Sequence, residues 1–485
     1  MRRRDLSKLL AICAAASLAV PRKAFAQTCN AGNGEATAAE TAAGARIVDA
    51  SLCPGDWRRY GADPSGQADS TAAIQAACNC NELAFDTAGG TYLVAGNIRI
   101  PSGVTVRGAS SAATTVTCVD GGRSIFVASG ASGVVVENLK LMTTSVSAKA
   151  HTGAVEFFQS TGCSCNRCEI IGSNWAGVLI HGSTQCTVNG CYFHDFAGSV
   201  QDSADVCVYD QSHSNVIVNN RCSGGNWHGI AIQDPYNNSL PSNNQVRNNI
   251  VGQHKAYGIM VYMPSAGNSY NQITGNSVQD IQGSVLENNA GAGIYVVGAG
   301  AGGTSVTNNT VRNCCVQTKQ QSLAPAGIGI AGISASAAPV NVSGNTVSDM
   351  RAHDAILIVS SKGPVTVSGN TASLPAGNPA SPIRIDATSN VTVSGNSAAR
   401  DPGTVGRCIF VHANAIAISN ISITGNSCFG GTYPQIELLP TDGGSISDVL
   451  CTDNVCQGLG PNSNCIRLVA VGNAKVSGNK CLPGH

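Results

Sequence analysis

One short motif recurs through the C-terminal half of the chain. Each copy is a strand-like run of alternating apolar residues that ends near an asparagine, and the clear copies are VNVSGNTV (340–347), VTVSGNTA (365–372), VTVSGNSA (391–398), ISITGNSC (421–428) and AKVSGNKC (474–481). Weaker copies extend back to CNRC (165–168), and consecutive shared asparagines are 23 to 36 residues apart. A repeat of this length predicts one supersecondary unit per copy, stacked on its neighbours.

A second short strand lies between most copies of the motif. Examples are GVLI (177–180), GIAI (229–232), GIMV (258–261) and GIYV (293–296). Strand, asparagine bend, strand and loop together make one coil of an all-β parallel solenoid. In such a fold every second side chain of a strand points inward, and successive coils are about 4.8 Å apart.

Stacking is expected to align equivalent residues of successive coils in columns. The asparagine column should include Asn166, Asn189, Asn220 and Asn248, with side-chain amides bonded to the backbone and to one another. Cysteines follow the asparagine by two residues in six copies: Cys168, Cys191, Cys222, Cys428, Cys456 and Cys481. Disulfides and buried free thiols both fit such a column.

The first 26 residues are predicted to be an export signal. A basic segment, MRRRDLSK, precedes a 12-residue apolar run, LLAICAAASLAV, and a small-residue cleavage site follows at Ala24-Phe25-Ala26. The paired arginines resemble a twin-arginine signal. We therefore expect a periplasmic or extracellular protein, with a linker at 27–56 and one domain at 57–485, and no membrane insertion because no later segment is a long apolar run.

Charge argues against nucleic acid as a partner. Six of the 28 basic residues and one of the 28 acidic residues lie in the first 26 positions. The rest of the chain therefore carries 22 basic and 27 acidic residues, a net charge of −5. A nucleic-acid-binding domain is typically basic, so this class of function is not expected.

The stretch RYGADPSGQADSTAAIQAA (59–77) resembles the opening of the pectate-lyase-like, rhamnogalacturonase/epimerase-type β-helix family. That family opens with F-G-A-x-G-D-G-x-T-D-D-T-x-A-I-Q-x-A, and the similarity continues through 88–110. The resemblance implies a single-stranded right-handed parallel β-helix and, usually, work on polysaccharides. TAAIQAAC (71–78) is predicted to be a capping helix over the first coil, whose sheet edges would otherwise be open. The reaction is not implied, because this scaffold hosts lyases, hydrolases, epimerases and binding proteins.

Polar and aromatic residues concentrate in the coils between residues 151 and 254. Six of the nine histidines (His151, His181, His194, His213, His228 and His254) and Trp175 and Trp227 lie there. A stacked scaffold does not require them, so this band is predicted to be a ligand groove. Strand alternation predicts an outward column of His181, Tyr209, Gln233 and Tyr262, and it also directs Asp205 outward.

Proton abstraction from a uronic acid has candidates for every role it needs. A polysaccharide lyase or C5-epimerase requires a base, an acid and a cation that neutralises the sugar carboxylate. The predicted catalytic residues are His228, Tyr209, Tyr262, His181 and Lys255. The predicted substrate contacts are Trp227, Gln233, Tyr257, His254 and Arg247. Asp210 and Asp234 fall on adjacent coils and are candidate ligands for a Ca²⁺ cofactor.

Two other functions remain open from the sequence. The stretch at 205–232 resembles the polygalacturonase type D-D-C-x-A…C-S-G-G-H-G-x-S-I, which implies a glycoside hydrolase with Asp205 and His228 in its site; however, Ala204 replaces the first Asp and Asn226-Trp227 is inserted. A hydrolase would otherwise use Asp210 with Asp234 as its two carboxylates. A polysaccharide-binding β-helix without catalysis is the third alternative.

The C-terminal end of the solenoid lacks a predicted cover. The last motif copy is followed by Cys481-Leu-Pro-Gly-His, with no helix pattern. An unpaired sheet edge invites association, so a homo-oligomer formed through this edge is one expected partner arrangement.

Overall fold

The structure is a computed structural model and describes residues 35–120, 122–144, 151–172, 175–196, 203–225, 227–234, 239–283, 291–315, 325–351, 353–402, 404–458 and 465–482. These residues form three long parallel sheets that wind around one apolar core, so the predicted all-β parallel β-helix is confirmed. From residue 90 onward the chain visits the sheets in the order 1, 2, 3, and each strand pairs with the equivalent strand of the next coil. The first coil passes from sheet 1 to sheet 3 with no strand in sheet 2.

Sheet 1 holds the strands that follow the asparagine bend. Its members among the described residues are β1 (Ser65–Asp69), β3 (Gly90–Val94), β6 (Thr114–Cys118), β9 (Lys140–Thr143), β12 (Glu169–Ile171), β15 (Tyr192–His194), β18 (Arg221–Ser223), β21 (Ile250–Gly252), β24 (Ser277–Gln279), β27 (Thr310–Arg312), β30 (Thr346–Ser348), β33 (Thr371–Leu374), β36 (Ser397–Arg400), β39 (Ser427–Phe429), β42 (Val455–Gln457) and β45 (Lys480–Leu482).

Sheet 2 holds the second strands predicted from the sequence. Its members are β4 (Ile98–Arg99), β7 (Phe126–Ser129), β10 (Gly153–Phe158), β13 (Ala176–His181), β16 (Ala204–Tyr209), β19 (His228–Gln233), β22 (Tyr257–Tyr262), β25 (Ala292–Val297), β28 (Ala326–Ala331), β31 (Asp354–Val359), β34 (Ile383–Asp386), β37 (Ile409–Asn414), β40 (Ile436–Thr441) and β43 (Ile466–Leu468).

Sheet 3 holds the strands that lead into the asparagine bend. Its members are β2 (Leu83–Phe85), β5 (Thr105–Arg107), β8 (Val135–Glu137), β11 (Ser164–Asn166), β14 (Thr187–Asn189), β17 (Val216–Val218), β20 (Gln245–Arg247), β23 (Gln272–Thr274), β26 (Ser305–Thr307), β29 (Val340–Ser343), β32 (Val365–Ser368), β35 (Val391–Ser394), β38 (Ala417–Thr424), β41 (Ser445–Thr452) and β44 (Val471–Ser477).

A continuous ladder of buried asparagines joins sheets 3 and 1. Each Nδ2 donates to the Oδ1 of the next asparagine at 2.9–3.0 Å, and the same Oδ1 accepts the backbone N–H of the preceding asparagine. The ladder contains Asn220, Asn249, Asn276, Asn309, Asn345, Asn370, Asn396, Asn426, Asn454 and Asn479. Polar groups that the bend would leave unpaired inside the protein are thereby satisfied.

The predicted asparagine column is wrong at three positions. Asn166 and Asn189 are paired residues of sheet 3, and the backbone N–H of Cys191 donates to Asn220 Oδ1, so cysteine holds the ladder position in this coil. In the Asn248-Asn249 pair the second residue is the ladder member, because Asn248 takes the left-handed φ of 57° at the bend. Residue spacing alone did not distinguish these neighbouring positions.

The cysteines are mostly buried thiols. Cys428, Cys456 and Cys481 pair in register as predicted, whereas Cys222 pairs with Phe193 and so does not share a column with Cys191. Cys465 and Cys481 form a disulfide, and Cys53 is also disulfide-bonded. Sixteen further cysteines of the described residues are free and buried, where they act as small apolar side chains.

The N-terminal end is covered by a folded cap. Helix α2 (Thr71–Cys80) buries Ile74 and Ala77 against the first coils, as the sequence predicts for a capping helix. Residues 35–56, assigned to a linker from the sequence, instead belong to this cap and contain helix α1 (Ala38–Ala42). The reason is a fully buried ion pair, in which Glu40 Oε1 accepts hydrogen bonds from Arg59 Nε at 2.6 Å and from Tyr60 OH at 2.8 Å.

The opposite end of the described solenoid is open. Strands β44 and β45 are almost entirely exposed, and Val476 and Leu482 keep 46% and 42% of their surface accessible. Residues 465–482 contain no helix that could cover this edge. Association through it therefore stays a prediction. None of the helices in the described part of the chain is long and apolar enough to cross a membrane.

Removing one rung of the ladder should destabilise the solenoid. Asn370→Ala leaves Asn345 Nδ2, the Asn345 N–H and the Val342 carbonyl without their partner. We expect the free energy of unfolding to fall by about 3 kcal/mol, measured by urea denaturation. The matched control is Asn341→Ala, a half-exposed strand asparagine, which should change stability by less than about 0.5 kcal/mol. Equal effects of the two substitutions would contradict a structural role for the ladder.

Acid should release the N-terminal cap. Burial raises the pKa of Glu40, but hydrogen bonds from Arg59, Thr37 and Tyr60 outweigh it and lower the pKa to about 2. A lowered pKa gives stability that is complete above the ordinary value of 4.5 and is lost as the pH falls toward 2. The protection factors of the amides in residues 57–80, which correct the exchange rates for the intrinsic effect of pH, should therefore fall across this interval. In Glu40→Gln these protection factors should already be low at pH 7 and nearly independent of pH.

Candidate functional site

The predicted outward column exists on sheet 2. His181, Tyr209, Gln233 and Tyr262 are direct cross-strand partners on β13, β16, β19 and β22. The residues just before them, such as Ile180 and Val208, belong to the main core instead. The outward face carries its own apolar cluster of Trp175, Leu179, Tyr209, Trp227, Tyr257, Met260, Tyr295 and smaller residues. This face therefore differs chemically from an ordinary solvated sheet surface.

An imidazole–phenol cluster lies at the N-terminal end of this face and consists of His151, Trp175, His181, Tyr209 and Asp210. Tyr209 OH is 2.9 Å from His151 Nε2. The His181 ring is centred 5.2 Å from the Tyr209 ring and 6.3 Å from the His151 ring. His181 Nε2 is 3.7 Å from Asp210 Oδ2. Two imidazoles, one phenol and one carboxylate thus meet in a single patch.

Local backbone geometry assembles this cluster. Tyr209 ends strand β16, and Asp210 follows it with a left-handed φ of 56°, which turns the chain so that the Asp210 carboxylate lies beside His181 on the neighbouring strand. The Trp175 ring packs edge-on against Tyr209 at 5.5 Å and against His151 at 5.1 Å. Tyr209 is only 2% exposed, so its phenol is held in one orientation.

The environment favours neutral imidazoles. Burial lowers the pKa of His151, and the charge of nearby His181 lowers it further. Burial also lowers the pKa of His181, although Asp210 opposes this effect by charge and by hydrogen bonding. Both rings are therefore unprotonated near pH 7, and each can accept a proton. His181 keeps 19% of its side-chain surface accessible, so a ligand can reach it.

A ring stack lies on the same face, with one ring from each of the strands β19, β22 and β25. His228 stacks on Tyr257 at 5.2 Å, and Tyr257 stacks on Tyr295 at 5.1 Å with nearly parallel planes. His228 is 1% exposed, and burial together with the charge of His254 lowers its pKa to about 3. Trp227 and Tyr257, predicted to contact substrate, are 8% and 5% exposed. The predicted catalytic residue His228 thus lies on the correct face but is enclosed by its neighbours.

The outward orientation predicted for Asp205 is wrong. Backbone pairing joins Ala204 to His228 and Val206 to Ile230 and passes over residue 205, so alternation shifts and the Asp205 side chain lies inside the solenoid. Its Oδ2 is 3.4 Å from His254 Nε2, and both side chains are completely buried. The equivalent residue of the next coil is Gly229, where a Cβ would collide with Val251. His254, predicted to contact substrate, is likewise interior.

The remaining predicted residues are dispersed. Arg247 is exposed on β20 of sheet 3, a different wall of the solenoid, so its predicted contact with a ligand on sheet 2 is wrong. Lys255 is half-buried in the turn that leads into β22. Tyr262 is 38% exposed, two strands beyond Tyr209. Gln233 lies between these two tyrosines and donates from Nε2 to Cys207 Sγ at 3.4 Å.

Ca²⁺ binding by Asp210 and Asp234 stays a prediction, and the two carboxylates have different surroundings. Asp234 is completely buried, and its carboxylate accepts hydrogen bonds from Ser239 N, Ser239 Oγ and Ser265 Oγ. Ca²⁺ requires six to eight oxygen ligands, and the described residues contain no group of three or more His, Cys, Asp or Glu side chains that could hold a metal.

Three residues of this face were not predicted as site residues. His151 lies just before β10 and was noted only as part of the histidine band. Trp175 was noted only as one of two tryptophans there. Glu156 of β10 faces outward opposite Leu179, accepts a hydrogen bond from Ser124 Oγ at 2.6 Å, and has a pKa raised by burial. Extending the alternation by one strand toward the N-terminus would have identified Glu156.

The fold agrees with known families. A family model described as "Right handed beta helix region" matches residues 123–311, and one described as "Rhamnogalacturonase A/epimerase, pectate lyase-like" matches residues 57–146. No curated protein sequence matches the chain.

Among solved structures, the catalytic unit of a thermostable GH87 alpha-1,3-glucanase from Streptomyces thermodiastaticus is similar at 16% identity and a TM-score of 0.54, covering 87% of this chain and 69% of that one. A mutant tailspike protein of E. coli bacteriophage HK620, in complex with pentasaccharide, is similar at 14% identity and a TM-score of 0.53, covering 87% and 80%. The A-module of a mannuronan C-5 epimerase from Azotobacter vinelandii has 15% identity and a TM-score of 0.45, covering 89% and 100%.

At these identities the structural likeness shows the fold alone. The two family models together span residues 57–311, which include the imidazole–phenol cluster. The resemblance to pectate-lyase-like, right-handed parallel β-helix proteins that the sequence indicates is therefore confirmed over these residues.

Proposed function

We propose that this protein is an exported enzyme that abstracts the C5 proton of a uronate in an acidic polysaccharide, as a C5-epimerase or a lyase does. His181 and Tyr209 are the proton-transfer groups, and His151 positions the Tyr209 phenol. The observation that carries the proposal is the 2.9 Å contact between Tyr209 OH and His151 Nε2, next to the accessible His181 ring. Acid and base candidates are thus adjacent on one face.

The first chemical step is common to both reactions. The C5–H bond breaks, the proton goes to the unprotonated ring nitrogen of His181, and the electron pair is delocalised into the sugar carboxylate as an enediolate. The base must be unprotonated near the working pH, which agrees with the lowered pKa of His181. An adjacent cation is needed to stabilise the enediolate. Lys255, half-buried in the turn before β22, is our candidate for that role.

The second step decides the product. In an epimerase the Tyr209 O–H returns a proton to C5 from the opposite face of the ring. In a lyase the electron pair instead forms a C4–C5 double bond and expels the glycosidic oxygen, which takes the Tyr209 proton. In both cases His181 ends with the C5 proton and Tyr209 ends as a phenolate. The resting state returns when His181 releases its proton to solvent and the phenolate takes one from solvent by way of His151 Nε2, which is in hydrogen-bond contact with it. The same constellation therefore supports either outcome.

Polysaccharide as the substrate class has two supports. The glucanase and the tailspike bound to a pentasaccharide share this fold, so the scaffold accommodates carbohydrates. The family description that matches residues 57–146 also names carbohydrate-active proteins. The predicted export signal at residues 1–26 would bring the protein to the periplasm or cell exterior. The net charge of −5 after residue 26 makes nucleic acid an unsuitable partner.

Glycoside hydrolysis has weaker support. It requires two carboxyl groups about 5 to 9.5 Å apart on the ligand face. Asp205 lies inside the solenoid, and Asp234 is buried among hydroxyl donors. Among the described residues at this end of sheet 2, Glu156 and Asp210 are the carboxyl groups that face outward. The experiments that test the enzyme also distinguish it from a hydrolase and from a binding protein without catalysis.

Tyr209→Phe should abolish turnover. Loss of the phenolic proton removes the acid of the second step, and we expect product formation on the active polyuronate to fall about 100-fold or more. Lyase activity is measured by the ultraviolet absorbance of unsaturated ends. Epimerase activity is measured by NMR, as a change of the epimer ratio without chain cleavage.

Each assay is run with and without calcium. New reducing ends without unsaturation would indicate hydrolysis, and binding without product would indicate a non-catalytic protein.

The matched control for this experiment is Tyr192→Phe. Tyr192 lies on β15 of sheet 1, so removal of its hydroxyl should leave turnover unchanged. Full activity of Tyr209→Phe would rule out the proposed acid.

The acid limb of the pH profile should report His181. Because burial lowers the pKa of His181, kcat/KM should be constant at neutral pH and fall only as the pH drops through a value below 6.5. Asp210 raises this pKa, so Asp210→Asn should move the acid limb to lower pH. Asp195→Asn, which removes a carboxylate 2.7 Å from His194 Nδ1 on sheet 1, should leave the profile unchanged. An upward shift in Asp210→Asn would contradict His181 as the base.

A further inference from the structure

A second polar patch lies on the outward face of sheet 2, in the last coils. This arginine–aromatic patch consists of Arg384, Arg407, Phe410, Tyr433 and Arg467. Arg384, Phe410 and Arg467 occupy the same outward column as Leu179, on β34, β37 and β43. The outward positions between the patch and the imidazole–phenol cluster are mainly apolar or small: Tyr295, Val297, Gly329, Ala331, Leu357 and Val359. The scaffold therefore does not need the charged residues at this position.

The arginines are held in place by two carboxylates. Glu437, which is completely buried, accepts hydrogen bonds from Arg407 Nε and, at 2.9 Å, from Arg467 Nη1. Asp386 accepts from Arg384 Nη2 at 2.6 Å and contacts His412 Nδ1 at 3.1 Å. Within the patch, three guanidinium groups thus face two carboxylates.

Donors remain available for an anion. A guanidinium has five N–H groups, and the carboxylate contacts of Arg467 and Arg384 use one of them each. The side chains of Arg467 and Arg384 are 50% and 32% accessible. Guanidinium groups bind carboxylates through two parallel hydrogen bonds, so a carboxylate is the anion that this geometry fits.

Aromatic rings complete the surface. The Arg407 guanidinium lies 4.4 Å from the Phe410 ring centre and 5.3 Å from that of Tyr433, and Tyr433 is 40% exposed. Ligand sites combine such apolar and aromatic area with a few fixed polar groups that set orientation. A ring beside a guanidinium suits a sugar that has an apolar face and a carboxylate at its edge.

We propose that the arginine–aromatic patch is a second binding subsite for the carboxylate-bearing sugars of an acidic polysaccharide. This inference rests on the proposed function for its substrate class. The patch at β37 is seven strand spacings from Tyr209 on β16, which is about 34 Å along the same face. One extended polymer can contact both regions, and linked contacts raise affinity by holding the second group at high local concentration. Long polymers should therefore bind more tightly than short oligomers.

The double substitution Arg384→Ala and Arg467→Ala tests the subsite. By isothermal titration calorimetry, we expect the Kd for a long polyuronate to rise about tenfold, the effect of losing one charge-assisted contact. The Kd for a short uronate oligomer, which occupies only the imidazole–phenol cluster, should not change. Arg312→Ala is the matched control, because it removes an exposed guanidinium from β27 of sheet 1. Thermal unfolding verifies that each variant is folded.

Titration with other polymers identifies the chemical group that the patch binds. A neutral glucan of equal length should bind the wild type and the double variant with the same Kd. A sulfated glucan should bind the wild type less tightly than the polyuronate does, because the patch is proposed to bind planar carboxylates. Tyr433→Ala provides an independent variant that leaves the buried ion pairs intact, and it should also weaken binding of the long polymer. Unchanged long-polymer affinity in both variants, or an equal loss in Arg312→Ala, would overturn the subsite.

The two proposals can fail separately. If product formation depends on Tyr209 but polymer binding does not depend on Arg384 and Arg467, the subsite proposal is wrong and the enzymatic function is supported. If binding of long polyuronates depends on these arginines but no product forms, the enzymatic function is wrong and the subsite is supported.

Discussion

In-register stacking of parallel strands is the constraint on which the whole structure depends. Each coil leaves backbone and side-chain polar groups at its corners, and these must find partners inside a dry core. The asparagine ladder solves this at the corner between sheets 3 and 1, since every amide serves both its own bend and the next one. A shorter ladder of Asn215, Asn244 and Asn271 does the same at another corner. Register is thus fixed by hydrogen bonds as well as by apolar contact.

Fixed register explains why the candidate site can be small and still well defined. Side chains that are 28 and 58 residues apart in the chain, such as His181 or His151 with Tyr209, become neighbours because their strands are paired. Tyr209 is enclosed by rings on two sides, so its phenol does not need to be ordered by a ligand. Burial of the rings in this cluster also lowers the pKa values of His151 and His181 and keeps both imidazoles neutral. The packing of the cluster therefore also sets its acid–base properties.

Periodic features were predictable from the sequence and local irregularities were not. The repeat motif predicted the parallel solenoid, TAAIQAAC (71–78) predicted the capping helix, and the apolar alternation predicted the column from His181 to Tyr262. The division of each coil among three sheets was not predicted. Alternation failed at Asp205, because the strands skip one residue there and direct it inward. Arg247 was misplaced because its position along the chain is close to the site strands, although the next corner puts it on another sheet. The folding of residues 35–56 depends on Glu40 and Arg59, two charges whose pairing has no sequence signature.

The uniform coil height has a consequence for the spacing of the two regions on sheet 2. Because each strand advances the outward face by the same increment, insertion or deletion of a coil between β22 and β34 would change their separation by a whole multiple of about 4.8 Å. The local chemistry of each region would be preserved, since all of its contacts lie within a few neighbouring coils. Solenoids of this kind can therefore lengthen or shorten their reach along a polymer in discrete steps, by duplication of a gene segment, without redesign of either end.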